Sequence, residues 1–407
     1  MISQNRRLTM KDNQAKYPQL RFKGFTDPWE QRKLGEVADI IGGGTPSTNV
    51  SEYWNGDIDW YSPVEIGNQI YIDESQKKIT GLGLQKSSAH ILPVGTVLFT
   101  SRAGIGNTVI LTKEGCTNQG FQSIVPYKDL LNSYFIFSRT SELKRYGEIN
   151  GAGSTFIEVS GKQMAKMPIS VPSIEEQQKI GSFFKQLDDT IALHQRKLAK
   201  LKELKQGYLQ KMFPQNGSKF PQLRFSGFAD AWEQRKLTEI VNRVNKSSNS
   251  DVLPKVEFED IVSGEGRLNK DISSKLDSRK GTLFESENIL YGKLRPYLKN
   301  WLFPDFEGVA LGDFWVFEAT DVSVPSFDYY LIQSDDYQKV ANDTSGTKMP
   351  RSDWKNVSST DFAIPSKDEQ KQIGAFFKQL DDTITLHQRK LEKLQELKKG
   401  YLQKMFC

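Results

Sequence analysis

The sequence predicts a mixed α and β (α/β) fold in which two similar domains are joined by two long helices that pair as an antiparallel coiled coil. Three observations predict it. Residues 175–213 contain no proline and carry an apolar heptad pattern, residues 368–407 repeat that stretch nearly unchanged, and short strand-like segments precede each copy. A heptad helix buries one stripe of side chains, so we expect the two copies to bury their stripes against each other.

Each long segment places its stripe residues at alternating steps of three and four. The predicted interface comprises Phe184, Leu187, Ile191, His194, Leu198, Leu201 and Tyr208 in the first copy, and Phe377, Leu380, Ile384, His387, Leu391, Leu394 and Tyr401 in the second. Lys205 and Lys398 fall on the same stripes. For the two histidines, a polar residue that fixes helix register is favoured over a metal ligand or a catalytic group. The duplication predicts an internal pseudo-two-fold axis, under which the helices run antiparallel.

A short aromatic segment opens each copy of the repeat. Residues 17–37 read YPQLRFKGFTDPWEQRKLGEV, and residues 220–240 read FPQLRFSGFADAWEQRKLTEI. The predicted layout runs from a flexible N-terminal tail through two alternating pairs of domain and helix. Its parts are the tail at 1–16, the first domain at 17–174, the first helix at 175–214, the second domain at 215–367 and the second helix at 368–407.

The two regions between these framework segments share a layout but little sequence. Residues 38–174 contain strand-like runs such as GTVLFT and TVILT, glycine-rich turns, and a helical stretch near 129–145. Residues 241–367 contain NILYGKL and FWVFEA, with a helix near 326–341. This pattern predicts mixed α and β domains without a dinucleotide fold. The repeated segments are nearly identical, whereas residues 38–174 and 241–367 have diverged. This contrast indicates two different specificities on one common support.

Composition and absent motifs narrow the possible functions. The net charge of +5 permits nucleic-acid binding without requiring it, and the two cysteines, Cys116 and Cys407, show no metal or disulfide spacing. Lone cysteines of this kind favour a reducing cytosol. We find no membrane-length apolar run, no signal peptide, no phosphate-binding loop and no Asn/Asp-Pro-Pro-aromatic methyltransferase motif. The sequence therefore predicts a cytoplasmic protein and argues against an enzyme with its own metal or cofactor.

Polar and basic residues beside the glycine turns are candidates for DNA contact, because base edges and phosphates are recognised by such groups. In the first domain these residues are Thr45, Ser47, Thr48, Ser101, Arg102, Asn107, Asn118, Gln119 and Gln122. In the second domain they are Lys246, Lys293, Arg295, Tyr297, Lys299, Lys348, Arg351 and Ser352. The segment GKLRPYLKN at 292–300 gives the stronger signal, since it interleaves basic and aromatic residues. The alternative for each residue is ordinary turn chemistry or a solvated strand edge.

Taken together, these segments resemble the specificity subunit of type I restriction-modification systems. The resemblance rests on GFTDPWEQRKLGEV and GFADAWEQRKLTEI, on LPVGTVLFTSRAGIGNTVIL and NQGFQSIV, and on the exits PSIEEQQKIGSFFKQLDD and PSKDEQKQIGAFFKQLDD. It implies two target recognition domains that each read half of a bipartite sequence in double-stranded DNA. It also implies docking of two methyltransferase subunits and of restriction subunits. S-adenosylmethionine, ATP and Mg²⁺ would then be used by those partners, and the resemblance implies that this subunit is itself non-catalytic and binds none of these cofactors.

Two other classes of function remain open at this point. A two-headed scaffold that binds proteins or glycans would also explain why residues 38–174 and 241–367 have diverged. A self-sufficient methyltransferase or nuclease is disfavoured, because the sequence lacks cofactor and metal motifs.

Overall fold

The computed structural model describes residues 17–102, 104–152, 157–273, 278–344 and 348–406. The tail predicted at 1–16 and the terminal Cys407 lie outside these residues. The chain folds as two compact units, the first formed by residues 1–193 with 390–407 and the second by residues 194–389. Each unit therefore contains one strand-rich region and a part of each long helix.

The strand-rich region of the first unit is built on short strands separated by turns. The strands are β1 (Glu30–Lys33), β2 (Ala38–Gly42), β3 (Trp54–Tyr61), β4 (Tyr71–Ile72), β5 (Lys77–Ile79), β6 (Val97–Phe99), β7 (Thr108–Leu111), β8 (Cys116–Thr117), β9 (Gln122–Pro126) and β10 (Pro168–Val171). One sheet has the order β2-β9-β6-β7-β4, a second has the order β5-β3-β8, and β1 pairs with β10. Buried apolar runs such as β6 and β7 form the centre of the larger sheet.

The helices of this region are short. They are α1 (Leu34–Val37), α2 (Gly81–Gln85), α3 (Ser133–Ser138), α4 (Thr140–Asn150) and α5 (Gly161–Ala165). The single helix predicted near 129–145 begins later, where the Asn132 side chain accepts a hydrogen bond from the Phe135 N–H, and it is interrupted at Arg139. Arg139 is 3% exposed and donates to the Ser170 carbonyl and to Glu142. These buried polar contacts account for the break.

The first long helix, α6, spans Ile174–Met212. The strands of the second unit are β11 (Glu233–Lys236), β12 (Val241–Val244), β13 (Ser247–Ser248), β14 (Lys255–Val256), β15 (Ile261–Val262), β16 (Arg267–Leu268), β17 (Gly281–Phe284), β18 (Ile289–Gly292), β19 (Trp301–Leu302), β20 (Gly308–Ala310), β21 (Phe314–Ala319) and β22 (Asp361–Ile364). They form sheets of order β12-β21-β18-β19 and β13-β17-β20-β14, with the pairs β15-β16 and β11-β22.

The remaining helices are α7 (Leu237–Ile240), α8 (Pro325–Leu331), α9 (Asp335–Ala341), α10 (Trp354–Ser359) and α11 (Lys367–Lys404). The helix predicted near 326–341 is therefore present as two shorter helices, α8 and α9. A new N-cap at Ser334, whose hydroxyl accepts from the Tyr337 N–H, starts the second of them. Across the described ranges, no helix combines the length and apolarity that a bilayer crossing requires.

The long helices pack against each other in the antiparallel direction, as predicted. In the first unit, the Phe183 and Tyr401 rings lie 5.0 Å apart and Asp188 pairs with Lys398 at 2.5 Å. In the second unit, the ring nitrogens of His194 and His387 lie 3.0 Å apart, Lys205 pairs with Asp381 at 2.7 Å, and the Tyr208 and Phe376 rings lie 5.1 Å apart. In both units the residue numbers rise along α6 while they fall along α11.

Every residue proposed for the helix interface is buried or half-buried. Phe184 and Phe377 pack mainly into the aromatic cores of their own units, against Phe406 and Phe213 respectively. Phe183 and Phe376, next to the predicted stripe, supply the ring contacts with Tyr401 and Tyr208. The stripe pattern missed these two residues, because a helix end that also packs on a domain buries more than one stripe.

Candidate nucleic-acid interface

Strand register brings the candidate loops of the first domain to one end of its larger sheet. Gly42, the last residue of β2, pairs with Gln122, the first residue of β9. Phe99, the last residue of β6, pairs with Thr108, the first residue of β7. Since these four strand ends lie at the same end of the sheet, the connecting segments 43–48, 100–102, 104–107 and 118–121 emerge together. With Gln122 they form what we call the first surface.

Backbone and side-chain hydrogen bonds tie these segments to one another. The Gly44 N–H donates to the Thr117 carbonyl at 2.8 Å, and the Thr45 hydroxyl donates to the Gln119 side chain. The Ser101 N–H donates to the Gly120 carbonyl at 2.8 Å. A rigid platform follows, because each loop is hydrogen-bonded to another one.

The predicted residues of the first surface differ in their exposure. Exposed residues are Ser47, Thr48, Asn107 and Gln119, and half-buried residues are Thr45, Arg102, Asn118 and Gln122. Ser101 is fully buried, so its side chain is not displayed at the first surface, contrary to what contact with DNA requires. Its position between β6 and the following turn points its side chain inward, which the glycine-rich sequence around it did not reveal.

The second domain places its candidates at the corresponding end of its own sheet. Val244 and Leu290 both pair with Val316, and Gly292 pairs with Phe314. β12 and β18 end, and β21 begins, at this end of the sheet. The residues that follow β12 and β18 and those that precede β21 are therefore neighbours. We call the residues at this end of the sheet the second surface, which comprises Lys246, 293–299, Asp313 and 348–351.

The turn that carries Arg295, Tyr297 and Lys299 is strained. Arg295 and Lys299 have φ values of 47° and 55°, and they flank a single turn of 3₁₀ helix at Pro296–Leu298. Side chains other than glycine rarely adopt this left-handed conformation, and such strain concentrates at functional sites. The Arg295 N–H donates to the Pro350 carbonyl at 2.7 Å, which helps to hold the turn. Tyr297 at its tip is 57% exposed.

An acidic residue lies among the basic side chains of the second surface. Arg351 donates from its Nε and Nη2 atoms to the two Asp313 carboxylate oxygens, at 3.2 and 3.1 Å. Lys293 Nζ lies 3.8 Å from the same carboxylate. The hydrogen bond from Arg351 to Asp313 raises the pKa of the guanidinium above its usual value. Asp313 was not among the predicted residues, because its partner lies 38 residues away in the sequence.

The other predicted residues of this domain fall into two groups. Lys246, Lys299 and Lys348 are exposed at the second surface. Ser352 is 6% exposed, and its hydroxyl donates to the Ala341 carbonyl at 2.7 Å. The Ser352 side chain is therefore not displayed at the second surface, contrary to what contact with DNA requires, since it closes a helix end inside the domain.

The two surfaces share one backbone framework. The Ser101 N–H donates to the Gly120 carbonyl at 2.8 Å, and the Lys293 N–H donates to the Asp313 carbonyl at 2.9 Å. In turn, the Ser101 carbonyl accepts from the Val159 N–H at 3.1 Å, and the Lys293 carbonyl accepts from the Ser352 N–H at 2.9 Å. Equivalent backbone positions therefore carry different side chains in the two domains.

Each domain is fixed to the long helices by a repeated set of three polar side chains. In the first unit, the Tyr134 hydroxyl donates to Asp188 at 2.8 Å, and Lys398 pairs with the same carboxylate. In the second unit, the Tyr330 hydroxyl donates to Asp381 at 2.9 Å, and Lys205 pairs with that carboxylate. We call these two sets the Tyr-Asp-Lys joints.

Sequence reasoning missed the two aspartates of these joints, although a signal was available. Lysine on an otherwise apolar helix stripe, at Lys205 and Lys398, requires a buried counterion. Asp188 and Asp381 recur at equivalent places in the repeat and meet that need.

A second repeated contact holds the aromatic entry segments. Arg21 pairs with Glu176, and Arg224 pairs with Glu369, each through two hydrogen bonds of 2.7 Å. The two glutamate side chains are each 1% exposed. Such buried two-point contacts explain why the entry segments changed so little between the copies.

Glu265 supplies a further contact between the helices and the domain of the second unit. Glu265, in the turn between β15 and β16, pairs with Lys202 of α6 and with Arg267, each at 2.7 Å. Burial raises the pKa of Glu265, but the hydrogen bonds and charges of Lys202 and Arg267 outweigh it and hold that pKa below its usual value.

Comparisons with known proteins agree with this architecture. A family model described as the type I restriction modification DNA specificity domain matches residues 26–203 and 229–396. The type I restriction enzyme MjaIX specificity subunit of Methanocaldococcus jannaschii is 26% identical over 403 residues, which cover 93% of this chain and 92% of that protein. The EcoR124I/EcoR124II specificity subunit of Escherichia coli is 31% identical over 190 residues, which cover 44% of this chain and 46% of that protein.

A solved structure shares the fold. The crystal structure of a type I restriction-modification S subunit from M. genitalium aligns with a TM-score of 0.62 at 14% identity, covering 96% of this chain and 99% of that one. The chain therefore belongs to the type I restriction-modification DNA specificity family, as a non-catalytic specificity subunit with two target recognition domains.

Proposed function

We propose that this chain reads a bipartite sequence in double-stranded DNA, with residues 17–174 recognising one half and residues 215–367 the other. One observation carries the proposal. The two domains keep the same backbone hydrogen bonds at the end of the sheet, whereas the side chains displayed there differ. A shared framework with different displayed groups is what two different half-sequences require.

The displayed groups suit contacts to base edges and phosphates. Asn107 and Gln119 on the first surface can donate to or accept from base edges in the major groove, and Arg102 can donate to them. On the second surface, Arg295 and Lys299 supply positive charge, and the exposed Tyr297 supplies an aromatic face. With a net charge of only +5, we expect partner subunits to share the electrostatic attraction of the phosphates.

We assign the long helices the role of a spacer that sets the gap between the two half-sites. Each helix is about 57 Å long at a rise of about 1.5 Å per residue. Domains that read adjacent major-groove segments need a separation of roughly 34 Å, or about 10 base pairs. The Tyr-Asp-Lys joints support this role, because they fix each domain to both helices at once.

The chemistry belongs to partner subunits in this proposal. We infer that two methyltransferase subunits, which use S-adenosylmethionine, dock on this chain, and that restriction subunits, which use ATP and Mg²⁺, join them in the cytoplasm. Methylation of a base requires its extrusion from the stack, at a cost of a few kcal/mol. That extrusion is assigned to the methyltransferase. Family membership supports this division of labour.

The proposal is tested by mapping DNA methylation in a host that expresses an adenine methyltransferase of such a system, with and without this chain. We expect methylation at one bipartite sequence only when the chain is present, together with co-purification of the two proteins. If the chain co-purifies with other proteins and methylation is identical in both hosts, the two-headed scaffold replaces DNA reading as the function.

A further inference from the structure

We propose that Arg351 reads a guanine in the half-site of the second domain, and that Asp313 is the positioning residue that orients Arg351 for this contact. The inference rests on the proposed function and deepens it, because it names one base-reading residue and the base that it selects. It starts from the way in which the guanidinium is held.

Asp313 engages only one edge of the Arg351 guanidinium. Its two oxygens accept from Nε at 3.2 Å and from Nη2 at 3.1 Å. Nη1 and the second hydrogen of Nη2 form the other edge of the same plane, with two parallel donors. Guanine presents two acceptors, O6 and N7, in the major groove, and they match such a pair of donors. The carboxylate therefore leaves free the edge that suits guanine.

Both members of the pair stand on fixed backbone. Arg351 forms a β-bridge with Leu294, and its neighbours are held because the Ser352 N–H donates to the Lys293 carbonyl at 2.9 Å. Asp313 follows Gly312, whose φ of +79° sets the chain direction before β21 begins. The guanidinium plane is thus fixed by its partner and by its own backbone, which lowers the entropy lost on binding a base.

The pair is accessible and carries excess positive charge. The side chain of Arg351 is 48% exposed, while that of Asp313 is 25% exposed. Lys293 also approaches Asp313, at 3.8 Å. One carboxylate thus faces two cations, so the group as a whole attracts the DNA backbone while Asp313 keeps Arg351 in one orientation.

The shared backbone framework does not need this pair. At the position equivalent to Asp313, the first domain has Gly120, whose carbonyl accepts the same hydrogen bond. In the first domain the basic side chain is Arg102 and its acidic partner is Glu158, at 3.9 Å. Neither the base nor the acid of that pair stands at the position equivalent to Asp313. A pair that occurs in one domain only, on a framework common to both, is expected of a specificity determinant and not of a structural support.

The test uses the full chain assembled with its methyltransferase, and duplexes that carry the mapped target with each base of the half-site changed in turn. We expect wild-type protein to prefer guanine at one position roughly 5- to 150-fold, the range of a two-point base contact. Arg351→Ala should abolish the preference at that position only. Arg351→Lys should lose most of it, because an ammonium lacks the planar fork of donors that Asp313 orients.

Asp313→Asn should weaken the same preference, and the double variant should be no less selective than Arg351→Ala alone. Asp305→Asn is the matched control, since Asp305 is an exposed aspartate of the same domain. Unchanged selectivity in Arg351→Ala, an equal loss of affinity for every duplex, or a half-site without guanine would overturn the inference and leave the proposed function standing. Failure of the wild-type complex to discriminate any base in this half-site would overturn both.

Discussion

The Tyr-Asp-Lys joint of the second unit gives the sharpest stability prediction. Asp381→Ala removes the shared acceptor of Lys205 and Tyr330. The Lys205 side chain is 12% exposed, and Tyr330 is 3% exposed, so neither can be fully rehydrated after the change. Both partners would then be left with buried donors that lack an acceptor.

The expected cost follows from these burials. A buried hydroxyl without a partner costs about 1–3 kcal/mol. Breaking a buried ion pair costs about 3–5 kcal/mol, and the 25% exposure of the Asp381 side chain reduces that figure. We therefore expect a loss of about 2–4 kcal/mol in the free energy of unfolding of the second unit. For a unit of this size, the transition should shift downward by roughly 4–16 °C.

The chain offers a matched control at the next residue. Asp382 is also an aspartate of α11, but its side chain is 69% exposed and it pairs with Lys378 at 3.4 Å on the helix surface. Such a pair contributes about 0.3–0.5 kcal/mol. Asp382→Ala should therefore leave the unfolding curve nearly unchanged, as measured by urea denaturation of the full chain followed by circular dichroism.

A double variant separates the joint from general damage to the helix. Lys205→Met with Asp381→Asn removes the charged pair together and should recover part of the stability that Asp381→Ala loses, because no buried charge is left alone. Equal unfolding curves for Asp381→Ala and Asp382→Ala would refute the reasoning. A double variant less stable than Asp381→Ala would refute it as well.

Three further predictions concern the helices and the contact of Glu265. Leu198→Asp or Leu391→Asp should separate the long helices, since each leucine contributes up to about 1.5–3 kcal/mol by burial, and both DNA binding and methyltransferase co-purification should be lost. Because Lys202 and Arg267 lower the pKa of Glu265, its stabilising effect is present above the unfolded-state value of 4.5 and is lost as pH falls through the lower folded-state value. Urea unfolding between pH 7 and pH 3 should show this acid-side loss, and Glu265→Gln should reduce it; an identical pH profile in the variant would contradict the assignment. Inserting four residues into each long helix should lengthen each by about 6 Å and widen the gap in the methylated sequence by one or two base pairs; an unchanged gap would end the spacer hypothesis.

The long helices and their direction were predictable from sequence. The 3.5-residue period is visible in the amino-acid order, and the repeat supplies the partner helix within the same chain. Strand positions such as β6, β7 and β21 were also predictable, because their apolar runs are bounded by glycine turns or charged residues. These features depend on local pattern, which a sequence displays directly.

The contacts that complete the candidate surfaces were less accessible to sequence analysis. The pairing of Arg351 with Asp313 depends on strand register, and the burial of Ser101 and Ser352 depends on which way a turn faces. The break at Arg139 has a similar origin, because the Ser170 carbonyl that Arg139 meets lies on a distant strand. Long-range packing decided each case, whereas local propensity did not.

The most direct test of the account is base-resolution methylation mapping of two variants, one in each domain, in a host that also expresses the methyltransferase. Arg102→Ala changes the first surface, and Arg295→Ala changes the second. The account predicts relaxed recognition in one half of the target for the first variant and in the other half for the second, with the gap unchanged in both. Changes confined to the same half, or no change at any position, would contradict it.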